Sequence, residues 1–168
     1  MGDFLRSAFT NISSNWANNG EPGVDPENEF VGQAIELKGH RLKVEKVLAE
    51  GGFGFVFKVK DARSQENYAL KRLIASDKES KKDILNEIQI LTKLQPHPHI
   101  MKFISWGQMD NNVYLVLCEL CSGGSLSDLV FPLSTTQQLN RILYQTANAI
   151  SHLHRFNVVH RDIKPRKY

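Results

Sequence analysis

The fold of this chain is decided by AEGGFGFV, residues 49–56. The glycines separate two runs in which apolar and polar residues alternate, RLKVEKVLAE before them and FVFKVKD after them. Such alternation predicts two β-strands, and the glycines predict the turn between them. A glycine turn also lets the backbone approach a phosphate closely and donate N–H groups to its oxygens, although a simple hairpin without a ligand is the other interpretation.

A third strand is predicted for NYALKRLI, residues 67–74, which carries Lys71. Side chains alternate along a strand, so Ala69 and Lys71 are predicted to point to the same face. A lysine on a strand that follows a glycine turn can be aimed at phosphate oxygens. A solvated strand lysine is the alternative.

A helix is predicted for DKESKKDILNEIQILTKL, residues 77–94, with Glu87 on its apolar stripe. The other residues of the stripe are Ile84, Ile88 and Leu91. A buried carboxylate without a partner costs roughly several kcal/mol, so Glu87 should meet a cation. We therefore predict an ion pair between Glu87 and Lys71; the alternative is a glutamate at the edge of the stripe that reaches water.

Two further strands are predicted for IMKFISWGQ and NVYLVLCEL, with a turn at MDNN between them. A long helix is predicted for residues 134–156, beginning with a capping box of Ser134 and Gln137. Its apolar side carries Leu139, Ile142, Leu143, Thr146, Ile150 and Leu153. The predicted class is α+β: an N-terminal lobe of five strands and one helix, then a helical lobe.

The chain closes with HRDIKP, residues 160–165, followed by three more residues. In such a segment Asp162 would orient the proton of an attacking hydroxyl. Lys164 would neutralise charge on a phosphoryl group in transfer. His160 and Arg161 are interpreted as scaffold.

The motifs EGGFGFV, YALK, NEIQIL, CELCSGGSL and HRDIKP resemble, in this order, those of a eukaryotic serine/threonine protein kinase over residues 42–165. In a P-loop, by contrast, the lysine lies inside the glycine loop and ahead of a helix. The spellings EFVGQAIEL, LKVEKVLAEGGFGFVF, YALKRL and CELC resemble the Numb-associated kinase family, most closely its cyclin-G-associated (auxilin-like) members. Ala49, in place of the first glycine of the general loop, is typical of that family.

The resemblance implies ATP as the bound nucleotide and assigns most of the site. Cys118 would be the gatekeeper at the back of the adenine pocket, Val56 and Ala69 would sandwich the ring, and the backbones of Glu119 and Cys121 would bind adenine. The implied catalytic residues are Lys71, Asp162 and Lys164. The implied ATP-binding residues are Ala49, Glu50, Gly51, Gly52, Phe53, Gly54, Val56, Ala69, Lys71, Glu87, Cys118, Glu119 and Cys121.

The resemblance also implies magnesium, but only for a full-length parent. The position where an asparagine would hold the metal is Lys167, and no Asp-Phe-Gly segment occurs in the chain, so no metal-binding residue is predicted here. We expect a kinase truncated after HRDIKP, without useful activity of its own. The apolar side of the helix at 134–156 would then be an exposed patch, because it would pack on the missing part of the large lobe. The alternative is a short pseudokinase that binds a nucleotide or a protein.

The domain organisation follows from composition. Residues 1–30 are rich in Asn, Ser, Gly, Pro and acidic residues, which predicts a flexible arm. The kinase domain is predicted for residues 31–168, with an N-lobe at 40–121 and a hinge and partial C-lobe at 119–168. The CxxC pair of Cys118 and Cys121 lacks the second ligand pair that zinc needs, which favours two reduced thiols.

Charge and hydropathy restrict the classes of partner and the cellular location that we expect. The formal charge of +3 is spread along the chain, so no nucleic acid partner is predicted. No apolar run reaches the roughly 18 residues of a transmembrane segment, and the first residues do not resemble a secretory signal. We expect a cytoplasmic protein. The resemblance adds protein substrates, clathrin adaptor subunits as partners, and an association with clathrin-coated vesicles or the perinuclear region.

Overall fold

The computed structural model describes residues 28–51, 54–126 and 136–164. These residues form six β-strands and two α-helices. The elements are β1 Ala34–Leu37, β2 His40–Gly51, β3 Gly54–Asp61, β4 Asn67–Ile74, α1 Lys78–Lys93, β5 Phe103–Asp110, β6 Val113–Glu119 and α2 Thr136–Arg155. Neither helix of this described part is long and apolar enough to cross a lipid bilayer.

The strands form one antiparallel sheet in the order β1-β2-β3-β4-β6-β5. A methyl group added to Gly107 would lie 2.7 Å from Leu37 Cδ1, so the two edge strands β5 and β1 pack against each other. The sheet thus curves around an apolar interior. The buried residues of that interior are Phe30, Ile35, Leu37, Leu42, Val44, Phe57, Val59, Leu70, Leu115 and Leu117.

The prediction of five strands is wrong by one, because β1 adds a sixth. Its four residues, AIEL, are too few to be recognised by alternation alone, yet they bury Ile35 and Leu37 in the sheet interior. The sheet therefore begins before residue 40, where the N-lobe was predicted to start. Phe30, the last residue of the predicted arm, is also in the core, with its ring centroid 5.1 Å from that of Phe57.

Helix α1 confirms the predicted stripe. Its buried residues include Ile84, Glu87, Ile88 and Leu91. The helix begins with a capping box: the Ser80 N–H donates to Asp77 Oδ1 at 2.8 Å, and the Asp77 N–H donates to Ser80 Oγ at 3.0 Å. These bonds satisfy backbone donors of the first turn and fix where the helix starts, and thus where Glu87 faces.

Helix α2 leaves part of its apolar side in solvent. Leu139 and Leu143 are 44% and 57% exposed, as predicted, whereas Leu153 is buried. Ile142, Thr146 and Ile150 are half-buried. The predicted capping residue Ser134 lies outside the described residues.

Histidines join the loop after α1 to helix α2. The rings of His97 and His152 have centroids 4.4 Å apart, and His152 Nε2 donates to the carbonyl oxygen of Leu94 at 3.1 Å. His99 lies edge-on to Tyr144 at 6.4 Å. We call His97, His99 and His152 the histidine junction. Burial lowers the pKa of His97, the nearby His152 and His99 lower it further, and a hydrogen bond with Asn148 opposes them.

This junction predicts that acid destabilises the fold. Since the pKa of His97 in the folded chain is below the unfolded value of 6.5, the unfolded chain binds the proton first, and stability falls as pH drops below that value. We expect Tm to decrease between about pH 7.5 and about pH 5.5, and to decrease less in His97→Phe. The control His154→Phe changes an exposed histidine and should keep the wild-type dependence. Equal pH dependence in wild type and His97→Phe would contradict the prediction.

Candidate functional site

Two rows of paired residues cross the sheet beside the glycine hairpin. Residues directly opposite each other on neighbouring strands share a face. The rows are Val56, Lys71 and Val116, and Lys58, Ala69 and Cys118. Val116 and Cys118 pack in the core cluster that contains Ile84 and Ile88 of α1. The predicted residues Val56, Ala69, Lys71 and Cys118 therefore lie together on the face that α1 covers in part.

The predicted ion pair between strand and helix is present. Lys71 Nζ lies 2.8 Å from Glu87 Oε1. The Glu87 side chain is only 4% exposed and that of Lys71 is 19% exposed. Within the described residues, Glu87 Oε2 is buried without a hydrogen-bond partner. A largely desolvated pair of this kind holds the ammonium in one place more firmly than a solvated lysine would be held.

The glycine hairpin lies next to this pair. Its register places Ala49 opposite Val56 and Gly51 opposite Gly54, while Glu50 pairs with Phe55. Gly54 has φ +138°, and a Cβ there would lie 2.0 Å from the carbonyl oxygen of Arg72. Only glycine allows this approach of β3 to β4. The predicted tip residues Gly52 and Phe53 lie outside the described residues.

Cys118 forms a small, apolar part of the site. It is buried, and burial raises the pKa of its thiol to about 12, with Lys71 lowering the pKa and Glu87 raising it. The thiol is therefore neutral at physiological pH.

Glu119 and Cys121 continue the chain from β6. The N–H of Glu119 donates to the carbonyl oxygen of Lys102 at 2.9 Å, so this N–H is not available to a ligand. Cys118 and Cys121 are both free cysteines, the first buried and the second exposed. Burial raises the pKa of Cys121, and so does Glu119. Among the described residues, no group of three or more His, Cys, Asp or Glu side chains could hold a metal ion.

The segment after α2 brings Asp162 and Lys164 together. Lys164 Nζ lies 3.3 Å from Asp162 Oδ1, with the carboxylate side chain 15% exposed. The Asp162 N–H donates to His160 Nδ1 at 3.3 Å, which supports the scaffold role predicted for His160. A carboxylate beside an ammonium can accept a hydroxyl proton while the cation offsets negative charge. Lys167 lies outside the described residues.

The model of the protein kinase domain family matches residues 42–167. A probable serine/threonine-protein kinase of Dictyostelium discoideum is 31% identical over 144 residues, covering 79% of this chain and 13% of the relative. The serine/threonine-protein kinase DCLK1 of Rattus norvegicus is 33% identical over 167 residues, covering 98% of this chain and 38% of the relative. The chain thus spans well under half the length of these two relatives.

Solved structures share the fold. A twitchin kinase fragment of C. elegans superposes with a TM-score of 0.66 at 26% identity, covering 82% of this chain and 32% of that one. A larger twitchin kinase region of C. elegans gives the same TM-score at 24% identity, covering 79% and 24%. Together with the family match, these superpositions confirm the predicted protein-kinase-like α+β fold.

Proposed function

Because this chain belongs to the protein kinase domain family, we propose that it is the N-terminal portion of an ATP-dependent protein serine/threonine kinase. The parent would transfer a phosphoryl group from ATP to Ser and Thr hydroxyls of protein substrates. The observation that carries the proposal is the buried pair of Lys71 and Glu87, 2.8 Å apart, beside a glycine hairpin that requires Gly54. In kinases this combination positions the nucleotide phosphates.

The adenine ring would lie against the apolar part of the sheet face. Val56 and Ala69 occupy adjacent rows there and are half-buried, so both have surface that a ring can cover. The neutral Cys118 would limit the depth of the pocket. A backbone atom of Glu119 other than its N–H, together with the backbone of Cys121, would provide the polar contacts.

Lys71 would bind the α- and β-phosphates, and Glu87 would act as its positioning residue. Holding the ammonium before the nucleotide arrives removes the cost of ordering it during binding. The N–H groups of the glycine hairpin, from Ala49 through Gly54, would add donors to the phosphate oxygens.

Asp162 and Lys164 would serve the phosphoryl acceptor. Asp162 would orient the substrate hydroxyl and accept its proton, while Lys164 would offset the negative charge that develops in transfer. The 3.3 Å separation between Lys164 Nζ and Asp162 Oδ1 supports this division of roles.

We infer from the residue at position 167 and from the described residues that this chain does not hold magnesium. Lys167 stands where a metal-holding asparagine is expected, and a lysine ammonium repels a cation. Within the described residues, no cluster of carboxylate, imidazole or thiolate groups could replace it. We therefore propose magnesium for the full-length parent only, and that the 168-residue chain itself does not transfer phosphate at a useful rate.

Binding of ATP is the direct test. At an ATP concentration near 100 times Kd the folded chain would gain about 2.7 kcal/mol, measured as a rise in Tm. We expect Lys71→Ala to weaken ATP binding at least about tenfold, a loss of about 1.4 kcal/mol. The control Lys43→Ala removes an exposed lysine of the same sheet and should bind ATP like the wild type. A wild-type rise in Tm that Lys71→Ala fully retains would rule out the proposed role of Lys71.

Inactivity is tested by phosphate transfer. The chain, incubated with labelled ATP, magnesium and a generic Ser/Thr substrate, is expected to label it no faster than a sample without protein. Labelling that disappears in Asp162→Asn would overturn the proposal, because it would place working catalytic chemistry in this chain.

The cellular role is a proposal by resemblance. LKVEKVLAEGGFGFVF and CELC support membership of the Numb-associated kinases, hence a cytoplasmic parent that acts on clathrin adaptor subunits, at coated vesicles or near the nucleus. A full-length parent that phosphorylates other substrates but no adaptor subunit would contradict this.

The second candidate is a short pseudokinase that binds a nucleotide or a protein. Two observations together favour it. The Lys71–Glu87 pair needed for nucleotide binding is formed, whereas Lys167 stands where the metal-holding asparagine of an active kinase is expected. The intact mass of the endogenous protein distinguishes the two: a species near 19.1 kDa supports the pseudokinase, and a heavier species supports the parent kinase.

A further inference from the structure

The face of β2 and β3 opposite the apolar interior, which also carries Val56, has four lysines in two opposed pairs. Lys43 is directly opposite Lys60, and Lys46 is directly opposite Lys58. Opposed side chains on antiparallel strands have Cβ atoms about 5 Å apart, so like charges at these positions destabilise the pairing. We call these four residues the lysine ladder. Lys43 is exposed, and the other three are half-buried.

The surroundings of the ladder compensate this charge only in part. The residues paired beside it on β1 and β4 are Ala34, Asn67 and Ala69, which are uncharged. Glu45, at an irregularity in β2, places Oε2 2.7 Å from Lys58 Nζ. In the described part of the chain, one glutamate is therefore paired with a group of four lysines.

The chain itself contains a segment of the opposite charge. Residues 21–29, EPGVDPENE, include four carboxylates and no cation. Arg6 and Lys38 are the nearest basic residues on either side of this segment. Glu29, its last carboxylate, is exposed at the start of the described domain. The acidic segment and the ladder are thus complementary in charge.

The end of this acidic segment is fixed beside the ladder. The Gly32 N–H donates to the Val44 carbonyl oxygen, and the Val44 N–H donates to the Gln33 carbonyl oxygen, both at 2.9 Å. Val44 lies on β2 between Lys43 and Lys46. The Val31 N–H donates to the Asn28 carbonyl oxygen at 3.0 Å, so residues 28–31 form a turn. This turn keeps the position of Glu27 close to Gly32 and thus to the ladder.

We propose that residues 21–27 of this chain dock intramolecularly on the lysine ladder through the carboxylates of Glu21, Asp25 and Glu27. The fixed attachment gives these carboxylates a high local concentration at the ladder. Docking offsets the repulsion between the opposed lysines. The contact is electrostatic and surface-exposed, so salt weakens it.

Zero-length carbodiimide cross-linking of the full chain tests this docking, because it joins a carboxylate to an amine only where the two are in contact. The single-chain product is digested and its cross-linked peptides are measured by mass spectrometry. At low salt we expect the carboxylates of residues 21–27 to join ladder lysines at least about fivefold more often than the exposed α1 lysines Lys78 and Lys82, and this preference to fall towards unity near 1 M salt.

Two variants supply matched controls. In Lys43→Gln/Lys60→Gln we expect cross-links to the remaining Lys46 and Lys58 to fall about threefold, because the field that attracts the segment is halved. In Lys78→Gln/Lys82→Gln, which removes two exposed lysines from α1, the ladder cross-links should be unchanged. Cross-links spread evenly over ladder and α1 lysines, or found only between two chains, would overturn the proposal.

Discussion

Replacing Gly54 with alanine is expected to lower the free energy of unfolding by roughly 2–4 kcal/mol. The new Cβ would lie 2.0 Å from the Arg72 carbonyl oxygen, which belongs to the backbone of β4 and therefore has no rotamer that avoids the contact. At φ +138° any side chain is also strained. The first residues of β3 would separate from β4, and with them the register that places Val56 opposite Lys71.

Denaturant unfolding of Gly54→Ala measures this loss, and the rise in Tm with ATP measures its effect on the site. We expect the variant to lose most of that rise, because the glycine hairpin no longer lies beside Lys71. The control Gly123→Ala changes a glycine where an added Cβ has no described atom within 4 Å, so its stability should stay near that of the wild type. A Gly54→Ala protein as stable as Gly123→Ala would contradict the predicted clash.

Replacing Lys71 with methionine is expected to cost about 3–5 kcal/mol of stability. The substitution leaves the Glu87 carboxylate buried, with a side chain 4% exposed and no partner cation. The double variant Lys71→Met/Glu87→Leu removes both charges and should recover most of the stability, because two apolar side chains replace a buried pair. It should not recover the rise in Tm with ATP, since the phosphate-binding ammonium is gone.

A half-buried ion pair, more accessible to water than Lys71–Glu87, provides the matched control for this cycle. Lys58 Nζ and Glu45 Oε2 are 2.7 Å apart, but their side chains are 27% and 31% exposed. Lys58→Met should therefore cost about 0–1 kcal/mol, because water and salt screen the charge that remains. Equal losses in Lys58→Met and Lys71→Met would show that burial of Glu87 does not control the energy of its pair.

The predicted part of the site came from local pattern. Glu87 lies in an apolar stripe of helical period, which predicts that its side chain points inward. An inward carboxylate needs a cation, so the ion pair was predicted from the sequence alone. The glycines at 51 and 54 predicted a turn because they stand between two runs of alternating apolar and polar residues. Lys71, on the strand that follows the glycine turn, was predicted as that cation, and the 2.8 Å distance confirms the ion pair.

Other tertiary contacts are not predicted by any pattern in the neighbouring sequence. His97 and His152 lie far apart in the chain, and no periodicity links a loop to the inward side of a distant helix. The opposition of Lys43 to Lys60 depends on strand register, which an irregularity between Val44 and Lys46 changes. Alternation therefore predicts which face a lysine occupies, but not which residue stands opposite it.

The sequence by itself determined the family motifs, the class of fold and the direction of the chemically important side chains, because these depend on residue spacing within one strand, helix or turn. The tertiary structure alone decided that β1 joins the sheet, that Leu37 packs on Gly107, and that Phe30 belongs to the core. These features depend on how far the sheet curves before its edges meet, a property of all six strands together.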